Sequence, residues 1–281
     1  MNMTAEDKIK EKGFAMGAKT VGIASVEAIN RFAPSGNRPD DMLSDAKSVV
    51  VIGGLGPTAG AWKVTSQRVL GNIGYSRGQL PALARRLAHF VEDTFGYYAI
   101  PIPSEMRVGH YPSMSLKLCA EMAGLGTRSM AAGIILNPRY GLLYFNGIIT
   151  TMPLKEDGPL SDPVCPHHSC VKMWKKKQTT PCLTSCPDCL SGEIQNDKIS
   201  WMEYRQDCCF PRAQTTSIDV FQKLLFEAIN EPNIERRKSI LFGSHFVRAV
   251  RSVAHSSELT AQCFNCVKRC PVVQGRIRKL K

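Results

Sequence analysis

The sequence lacks any long hydrophobic run, since no stretch of its 281 residues approaches 18 uninterrupted apolar positions. Its first residues, MNMTAEDKIKEKG, are charged and lack the apolar segment of a secretion signal. It also lacks internal repeats and low-complexity linkers, and its 43% hydrophobic content is sufficient for a buried core. These absences exclude a disordered chain and lead us to expect a cytoplasmic protein with no membrane partner.

Cysteine is scarce in the first part of the chain and abundant in the second. Only Cys119 precedes Val164, and the other ten cysteines follow it. Lys and Arg exceed Asp and Glu by 17 to 14 before Cys165 and by 19 to 10 from there on, which accounts for the net charge of +12. Disulfides do not persist in a reducing cytoplasm, so the clustered cysteines predict a metal site. We therefore predict two domains, 1–164 and 165–281.

The first part predicts an α/β domain, because its apolar residues follow helix and strand patterns in turn. Thr4 is a candidate N-cap for the first helix. The segment QLPALARRLAHFVEDTFG has apolar residues at helical spacing and ends at Gly96. The run SVVVIGGLG is typical of a strand that is covered on both faces of its sheet. Further strands are predicted at TVGIASV, YYAIPIP and YFNGIITTMPL, and a further helix at SMSLKLCAEMAGLG.

Two cysteine motifs bear on the chemistry of the second part. CLTSCP, at 182–187, has the spacing C-x3-C-P, and CFNCVKRCP, at 263–271, has the fuller spacing C-x2-C-x3-C-P. In two-cluster ferredoxins the cysteine before the proline ligates the other cluster. Zinc is the alternative, because eight of the ten cysteines could hold two zinc ions. Two copies that both end in Cys-Pro favour a pair of 4Fe-4S clusters.

The ferredoxin crossover rule divides these cysteines into two ligand sets. The first set is Cys165, Cys170, Cys182 and Cys270, and the second is Cys186, Cys263, Cys266 and either Cys208 or Cys209. The first motif is irregular, because a lysine-rich insert of eleven residues separates Cys170 from Cys182. Cys189 is left without a role. His167 and His168 either form a polar turn between ligands or replace one cysteine.

Five segments of the sequence resemble a known family. They are YSRG at 75–78, AGLGTRSMAAGIILNPRYG at 123–141, GIITTMPL at 147–154, and the downstream DCCFPRA and CFNCVKRCP. In their residues and in their order along the chain, over residues 15–275, these segments resemble the epoxyqueuosine reductases and the related reductive dehalogenases. The resemblance implies a nitroreductase-like, cobalamin-binding α/β core followed by a ferredoxin-like module with two 4Fe-4S clusters.

The resemblance also implies where base-off cobalamin binds. No D-x-H-x-x-G stretch is present, so a lower axial histidine of the methyltransferase type is not expected. Glycines of the segment 123–141 would let the large planar cofactor approach the backbone closely. The residues implied in cofactor binding are Tyr75, Gly124, Gly126, Ser129, Met130, Asn137, Pro138, Tyr140 and Gly141.

Two residues are candidates for proton transfer by the same resemblance. Tyr75 matches the tyrosine of the family's YARG segment, and its phenol would donate a proton or polarise a leaving group. His110 lies at the same offset before AGLG as the family's catalytic aspartate, and histidine can act as an acid near neutral pH. The residues that flank His110 differ from those of the family's segment, so Tyr111 and Lys117 are alternatives for this role.

The resulting prediction is a cytoplasmic, anaerobic, cobalamin-dependent iron-sulfur reductase that acts on an electrophilic substrate. Its alternatives are a tRNA epoxyqueuosine reductase, a reductive dehalogenase, and a ferredoxin-like electron donor or corrinoid activator. The basic segments KMWKKKQ and RIRKLK predict an acidic partner, either a ferredoxin or flavodoxin that donates electrons or a tRNA, unless they form only a solvated face. An insert at 214–262 matches no known segment and would serve a homodimer contact or a substrate lid.

Overall fold

The computed structural model describes residues 3–63, 79–103, 113–205, 208, 218–255 and 265–277. In the first part of the chain, helices pack on both faces of one sheet. The helices are α1 (Ala5–Ala15), α2 (Val26–Asn30), α3 (Pro39–Met42), α4 (Gln79–Phe95) and α5 (Leu116–Met122), with a 3₁₀ turn at Ala61–Lys63. The strands are β1 (Thr20–Ser25), β2 (Ser48–Leu55), β3 (Ala99–Pro101), β4 (Thr127–Arg128), β5 (Ile135–Asn137) and β6 (Gly141–Thr150).

Neighbouring strands of this sheet run antiparallel in every described pair. The strand order is β1-β2-β6-β5-β4, and β3 also pairs with β6. Along one side β6 pairs with β2, whereas along the other its first residues pair with β5 and its last residues with β3. The chain therefore has the mixed α/β fold that its pattern predicts, with strand directions that the pattern did not specify.

Strand β2 is covered on both faces, as its apolar run predicts. Val49 and Val51 belong to the apolar cluster that also contains residues of α2 and α5. Val50 and Ile52 belong to the cluster that contains residues of α1 and α4. Successive side chains of a strand point to opposite faces, so each helical layer packs against alternate residues of the same strand.

The predicted helix ends are confirmed at two places. Thr4 caps α1, because its hydroxyl accepts a hydrogen bond from the Asp7 N–H while the Asp7 carboxylate accepts one from the Thr4 N–H. Helix α4 ends at Phe95, and Gly96 follows with φ of 72° while its N–H donates to the Glu92 carbonyl at 3.0 Å.

The second part of the chain consists of short helices and one hairpin. The helices are α6 (His168–Lys177), α7 (Pro181–Ser185), α8 (Ile218–Asn230), α9 (Ile234–Phe242), α10 (Ser244–His255), α11 (Asn265–Lys268) and α12 (Pro271–Ile277). The hairpin strands are β7 (Leu190–Gln195) and β8 (Lys198–Tyr204). Helices α8, α9 and α10 pack against one another within the insert predicted at 214–262. None of the helices in the described ranges is both long and apolar enough to cross a membrane.

One apolar cluster joins the two parts of the chain. It contains Met130, Leu136 and Leu142 from the first part, with Leu183 and Val267 from the second. Most of the described cysteines of the second part are buried in this cluster or pack against it. The cysteine-rich helices therefore pack directly on the sheet near β5 and the start of β6.

Candidate iron-sulfur and cofactor site

Two short helices carry the first cysteines of the second part. His167 is the N-cap of α6, where its Nδ1 atom accepts a hydrogen bond from the Ser169 N–H, and this geometry is the polar turn that the sequence allowed for. Cys170 lies buried in the first turn of α6. Thr180 is the N-cap of α7, and Cys182 is buried in the first turn of that helix. Each helix thus carries a buried thiol close to its N-terminus.

The four cysteines of the first predicted ligand set lie near one another. Burial raises the pKa of the Cys165 thiol to about 12, and three further thiols contribute to the rise, those of Cys270, Cys182 and Cys170. Burial also raises the pKa of the Cys170 thiol to about 12, with further contributions from Cys182 and Cys270. Without a cation these buried thiols would stay protonated at neutral pH, so a metal cluster that binds here must displace their protons.

The second predicted ligand set falls only partly within the described residues. Cys186 and Cys266 are buried in the apolar cluster that holds Cys182 and Cys270, and Cys208 packs against it half-buried. Two other members of the set, Cys209 and Cys263, lie outside the described residues. The choice between Cys208 and Cys209 therefore stays a prediction.

Cys189, which the sequence left without a role, is buried among these cysteines. Its N–H donates to the Cys186 carbonyl at 3.1 Å, and its own carbonyl accepts from the Arg205 N–H at 2.9 Å. The thiol is only 4% exposed. Its position makes Cys189 a third candidate, beside Cys208 and Cys209, for the fourth ligand of the second set.

Among the residues that the structure describes, no three His, Cys, Asp or Glu side chains are grouped around one point as ligands of a single metal ion. A zinc ion draws four ligands to one point. A 4Fe-4S cluster differs in this respect, because each of its four thiolates binds a separate iron atom.

A tight turn of the first part contacts the first set of thiols. The backbone of Met130 lies close enough to the Cys165 thiol to lower its pKa, against the larger effect of burial. Within the turn, the Gly133 N–H donates to the Ser129 carbonyl and the Ser129 N–H donates to the Ile134 carbonyl, both at 3.0 Å. The buried hydroxyl of Ser129 has no hydrogen-bond partner in the described part of the chain. It is therefore available to a polar group of a bound cofactor.

Lys117 lies at the same junction. Its Nζ atom donates to the Ala132 carbonyl at 3.3 Å. The side chain reaches solvent from a recess, and desolvation there lowers its pKa, as does the nearby charge of Arg128, whereas the Cys266 thiol opposes the shift. The sequence named Lys117 as an alternative to His110. Tyr75, His110 and Tyr111 lie outside the described residues, so their proposed roles stay predictions.

Several residues implied in cofactor binding make structural contacts of their own. A Cβ atom at Gly124 would lie 2.6 Å from the Gly158 carbonyl oxygen, and one at Gly126 would lie 2.5 Å from that of Leu136. Met130 is buried in the shared apolar cluster. These contacts explain the residues as packing features of the segment 123–141, and their role toward cobalamin stays a prediction.

The turn between β5 and β6 holds the remaining implied residues. The Asn137 side chain donates to the Leu125 carbonyl and accepts from the N–H groups of Arg139 and Tyr140, all at 2.8 Å. Pro138 is exposed, and Gly141 has φ of 70°. Asn137 thus uses its side chain to shape this turn.

Thr180 contacts a candidate ligand, although the sequence analysis did not single it out. Its hydroxyl lies 3.1 Å from the Cys182 Sγ atom, and the side chain is only 1% exposed. The sequence did hold a signal, because Thr-Pro before a short helix is a common N-cap and N1 pair. The contact of the Met130 backbone with Cys165 could not be predicted from the sequence. Every residue except proline has a backbone N–H, so residue type gives no indication of such a contact.

No protein-family model and no curated protein sequence matches the chain. Solved structures do match it. The epoxyqueuosine reductase of Bacillus subtilis superposes with a TM-score of 0.55 at 16% identity, over 96% of this chain and 65% of that one. That of Streptococcus thermophilus gives 0.54 at 14% identity, over 97% and 67%. An epoxyqueuosine reductase with a tRNA-Tyr epoxyqueuosine-modified stem loop gives 0.55 at 17% identity, over 96% and 65%.

These matches show that the chain has the fold of the epoxyqueuosine reductases, which the sequence resembles. The chain spans about 65% of the length of the epoxyqueuosine reductases from Bacillus subtilis and with the tRNA stem loop. A reductive dehalogenase matches at a TM-score of 0.46, and we draw no conclusion from a likeness of that size. Identities below 20% leave the activity of this chain to be inferred from its own site.

Proposed function

We propose that this chain is a cytoplasmic, cobalamin-dependent iron-sulfur reductase with a nitroreductase-like core and a ferredoxin-like module, which acts on an electrophilic substrate in the absence of oxygen. One observation carries the proposal. The four cysteines that the crossover rule assigns to one cluster are neighbours, in a chain with the fold of the epoxyqueuosine reductases. The rule used only the order of the motifs, and the thiols that it groups are close enough to raise one another's pKa, although Cys182 also lies near Cys186 of the second set.

Specific residues would hold each cofactor. Cys165, Cys170, Cys182 and Cys270 would bind one cluster. Cys186, Cys266 and Cys263 would bind the other, with Cys208, Cys209 or Cys189 as the fourth ligand. Bound cobalamin would supply a metal centre that reduces the substrate, and the clusters would supply its electrons.

The chain's own groups would orient the cofactor and move protons. The Ser129 hydroxyl, which has no hydrogen-bond partner among the described residues, would bind a polar group at the rim of the cofactor. Tyr75 and His110 are the proposed proton donors, and Lys117 is the described alternative, because desolvation lowers the pKa of its ammonium group.

Reduction of epoxyqueuosine in tRNA is the second candidate. Two observations favour it. A structurally similar epoxyqueuosine reductase was solved with an epoxyqueuosine-modified tRNA stem loop, and the second part of this chain is basic. A tRNA would then be both substrate and partner. An electron donor or corrinoid activator would instead retain the cofactors and reduce no substrate by itself.

We propose that the insert at 214–262 contacts another molecule, because some of its apolar side chains are exposed. Phe226, Ile229 and Phe242 are each more than half exposed. A second copy of the chain and a bound substrate are the two candidates for that molecule.

The test is the cofactor content of protein purified without oxygen. We expect about eight iron and eight acid-labile sulfide per chain, as two clusters of this ligand type require. Added cobalamin should remain bound after gel filtration and change the visible spectrum. About two zinc ions per chain without sulfide would contradict the proposal.

A second experiment separates the candidate substrates. It compares the turnover of tRNA that carries epoxyqueuosine with the turnover of a halogenated phenol.

A further inference from the structure

A groove of about 630 Å³ lies on the surface of the second part of the chain. Its lining residues are Pro181, Ser185, Asn265, Lys268, Arg269 and Gln274. Two packed helices form its walls, α7 and α11. Helix α7 carries Cys182 and is followed by Cys186, and α11 carries Cys266 and is followed closely by Cys270. The groove therefore opens next to candidate ligands of both clusters.

The groove is positively charged. Lys268 and Arg269 line it, and within the described part of the chain no acidic residue lines it. Two lining side chains are held by backbone contacts, since the Ser185 hydroxyl donates to the Pro181 carbonyl at 2.7 Å and the Gln274 amide donates to the Lys268 carbonyl. An arginine fork pairs well with a carboxylate, so the groove suits an anionic group.

The C-terminal end of α6 extends this positive charge. Lys175 pairs with Asp197 at 2.7 Å. Lys176 and Lys177 are exposed, and no carboxylate in the described part of the chain pairs with them. Only three residues separate Lys177 from Pro181 in the groove wall. We define the basic docking surface as Lys176, Lys177, Lys268 and Arg269.

We propose that the basic docking surface binds an acidic one-electron carrier protein, whose carboxylates contact Lys176, Lys177 and Arg269. The inference rests on the proposed function, because it requires the clusters. In each encounter the carrier is oxidised by one electron and a cluster is reduced by one, with no bond or proton transferred. A field of opposite charge accelerates such encounters, and the surface lies beside the candidate ligands, where the electron path is short.

RNA is the competing partner for a basic surface, and the groove suits it less. Single-stranded nucleic acid binds through aromatic side chains on which bases stack, as well as through positive charge. None of the lining residues that the structure describes is aromatic. The position of the groove beside candidate cluster ligands matters for an electron donor and not for a tRNA, so it favours a protein with surface carboxylates.

The experiment compares two triple variants of the cluster-loaded protein. K176E/K177E/R269E reverses three charges of the docking surface. K8E/K19E/R85E makes the same change of residue types at exposed positions of the first part and serves as the control. Because Arg269 adjoins Cys270, iron and sulfide are measured first, and K176E/K177E is tested as a second variant that touches no candidate ligand.

The probe is a [2Fe-2S] ferredoxin of strongly negative net charge, at low ionic strength. We expect K176E/K177E/R269E to bind it about tenfold more weakly or worse, and to be reduced by it correspondingly more slowly. The bleaching of the clusters by dithionite should stay unchanged. The control should match the parent protein in both assays, and K176E/K177E should show part of the loss.

Three results would overturn the inference. The docking variant could bind ferredoxin and accept electrons as fast as the control does. It could lose affinity for tRNA while it keeps its affinity for ferredoxin, which would make the surface an RNA site. The parent protein could contain no iron and sulfide, and this result, seen before any carrier is added, would overturn the proposed function as well.

Discussion

The hydroxyl of Thr180 and the Sγ atom of Cys182 lie 3.1 Å apart in the buried interior of the second part. If Cys182 ligates a cluster, this hydroxyl donates a hydrogen bond to the bound thiolate. Such a bond stabilises the more negative, reduced cluster and raises its reduction potential. Thr180 is thus a candidate positioning and tuning residue that never touches a substrate.

We expect Thr180→Val to lower the reduction potential of one cluster and to leave the iron content unchanged. The same substitution removes the N-cap of α7, which costs about 1 kcal/mol of stability. Thr180→Ser retains the hydroxyl and should restore the potential. An anaerobic redox titration followed by electron paramagnetic resonance measures both variants.

Thr184→Val is the matched control, because Thr184 is exposed on the same helix and its hydroxyl contacts Thr179 at 3.1 Å. It should titrate like the parent. Equal potentials for Thr180→Val and Thr184→Val would mean that the Thr180 hydroxyl serves only the helix cap.

At the scale of elements, the short strands β4 and β5 support the turn that contacts the cysteines. Gly126 directly precedes β4, and its Cα packs against the backbone of β5. A Cβ atom there would lie 2.5 Å from the Leu136 carbonyl oxygen, and backbone cannot move aside as a flexible side chain can. The glycine therefore sets the distance between the two strands.

We expect Gly126→Ala to destabilise the protein by about 1–3 kcal/mol, as overpacking of a buried position usually does. The thermal midpoint of the cluster-loaded, cobalamin-free protein reports the change. Gly60→Ala is the control, because its nearest neighbour atom would lie 4.0 Å from the new methyl group. An unchanged midpoint with weaker cobalamin binding would instead assign Gly126 to the cofactor.

At the scale of the whole molecule, the two cysteine motifs are interleaved. Cys270 ends the second motif in the sequence, and its thiol lies near those of Cys165 and Cys182 from the first. Cys266, four residues earlier, belongs to the other proposed ligand set. The two clusters would therefore depend on one another through α11 and the residues that follow it.

We expect Cys270→Ala to lower the iron content from about eight to about four or fewer per chain, because it removes a ligand of one cluster and loosens the helix that serves the other. Iron and sulfide analysis of anaerobic protein gives the measurement. Cys119→Ala is the control, since Cys119 is buried in the core of the first part, away from the other cysteines. A content of about eight in Cys270→Ala would remove Cys270 from the ligand set.

Local signals in the sequence were sufficient for most elements of the first part. The predicted strands and helices are present there, from the Thr4 cap to β6. The hairpin of β7 and β8 was not predicted, although Asn196 and Asp197 are residues that tolerate the positive φ of its turn. The sheet order was not predicted either, because β2 and β3 pair with β6 across long stretches of chain.

The sequence by itself predicted an iron-sulfur site, because the spacing of cysteines along a chain is a local property that iron-sulfur ligation requires. Only the tertiary structure decided which neighbours those cysteines have. It buries Cys189 among them, brings the Met130 backbone to Cys165, and pairs Lys175 with Asp197, so that Lys176 and Lys177 retain the exposed charge. These contacts join residues far apart in the chain, and their energies depend on burial and distance, which folding alone sets.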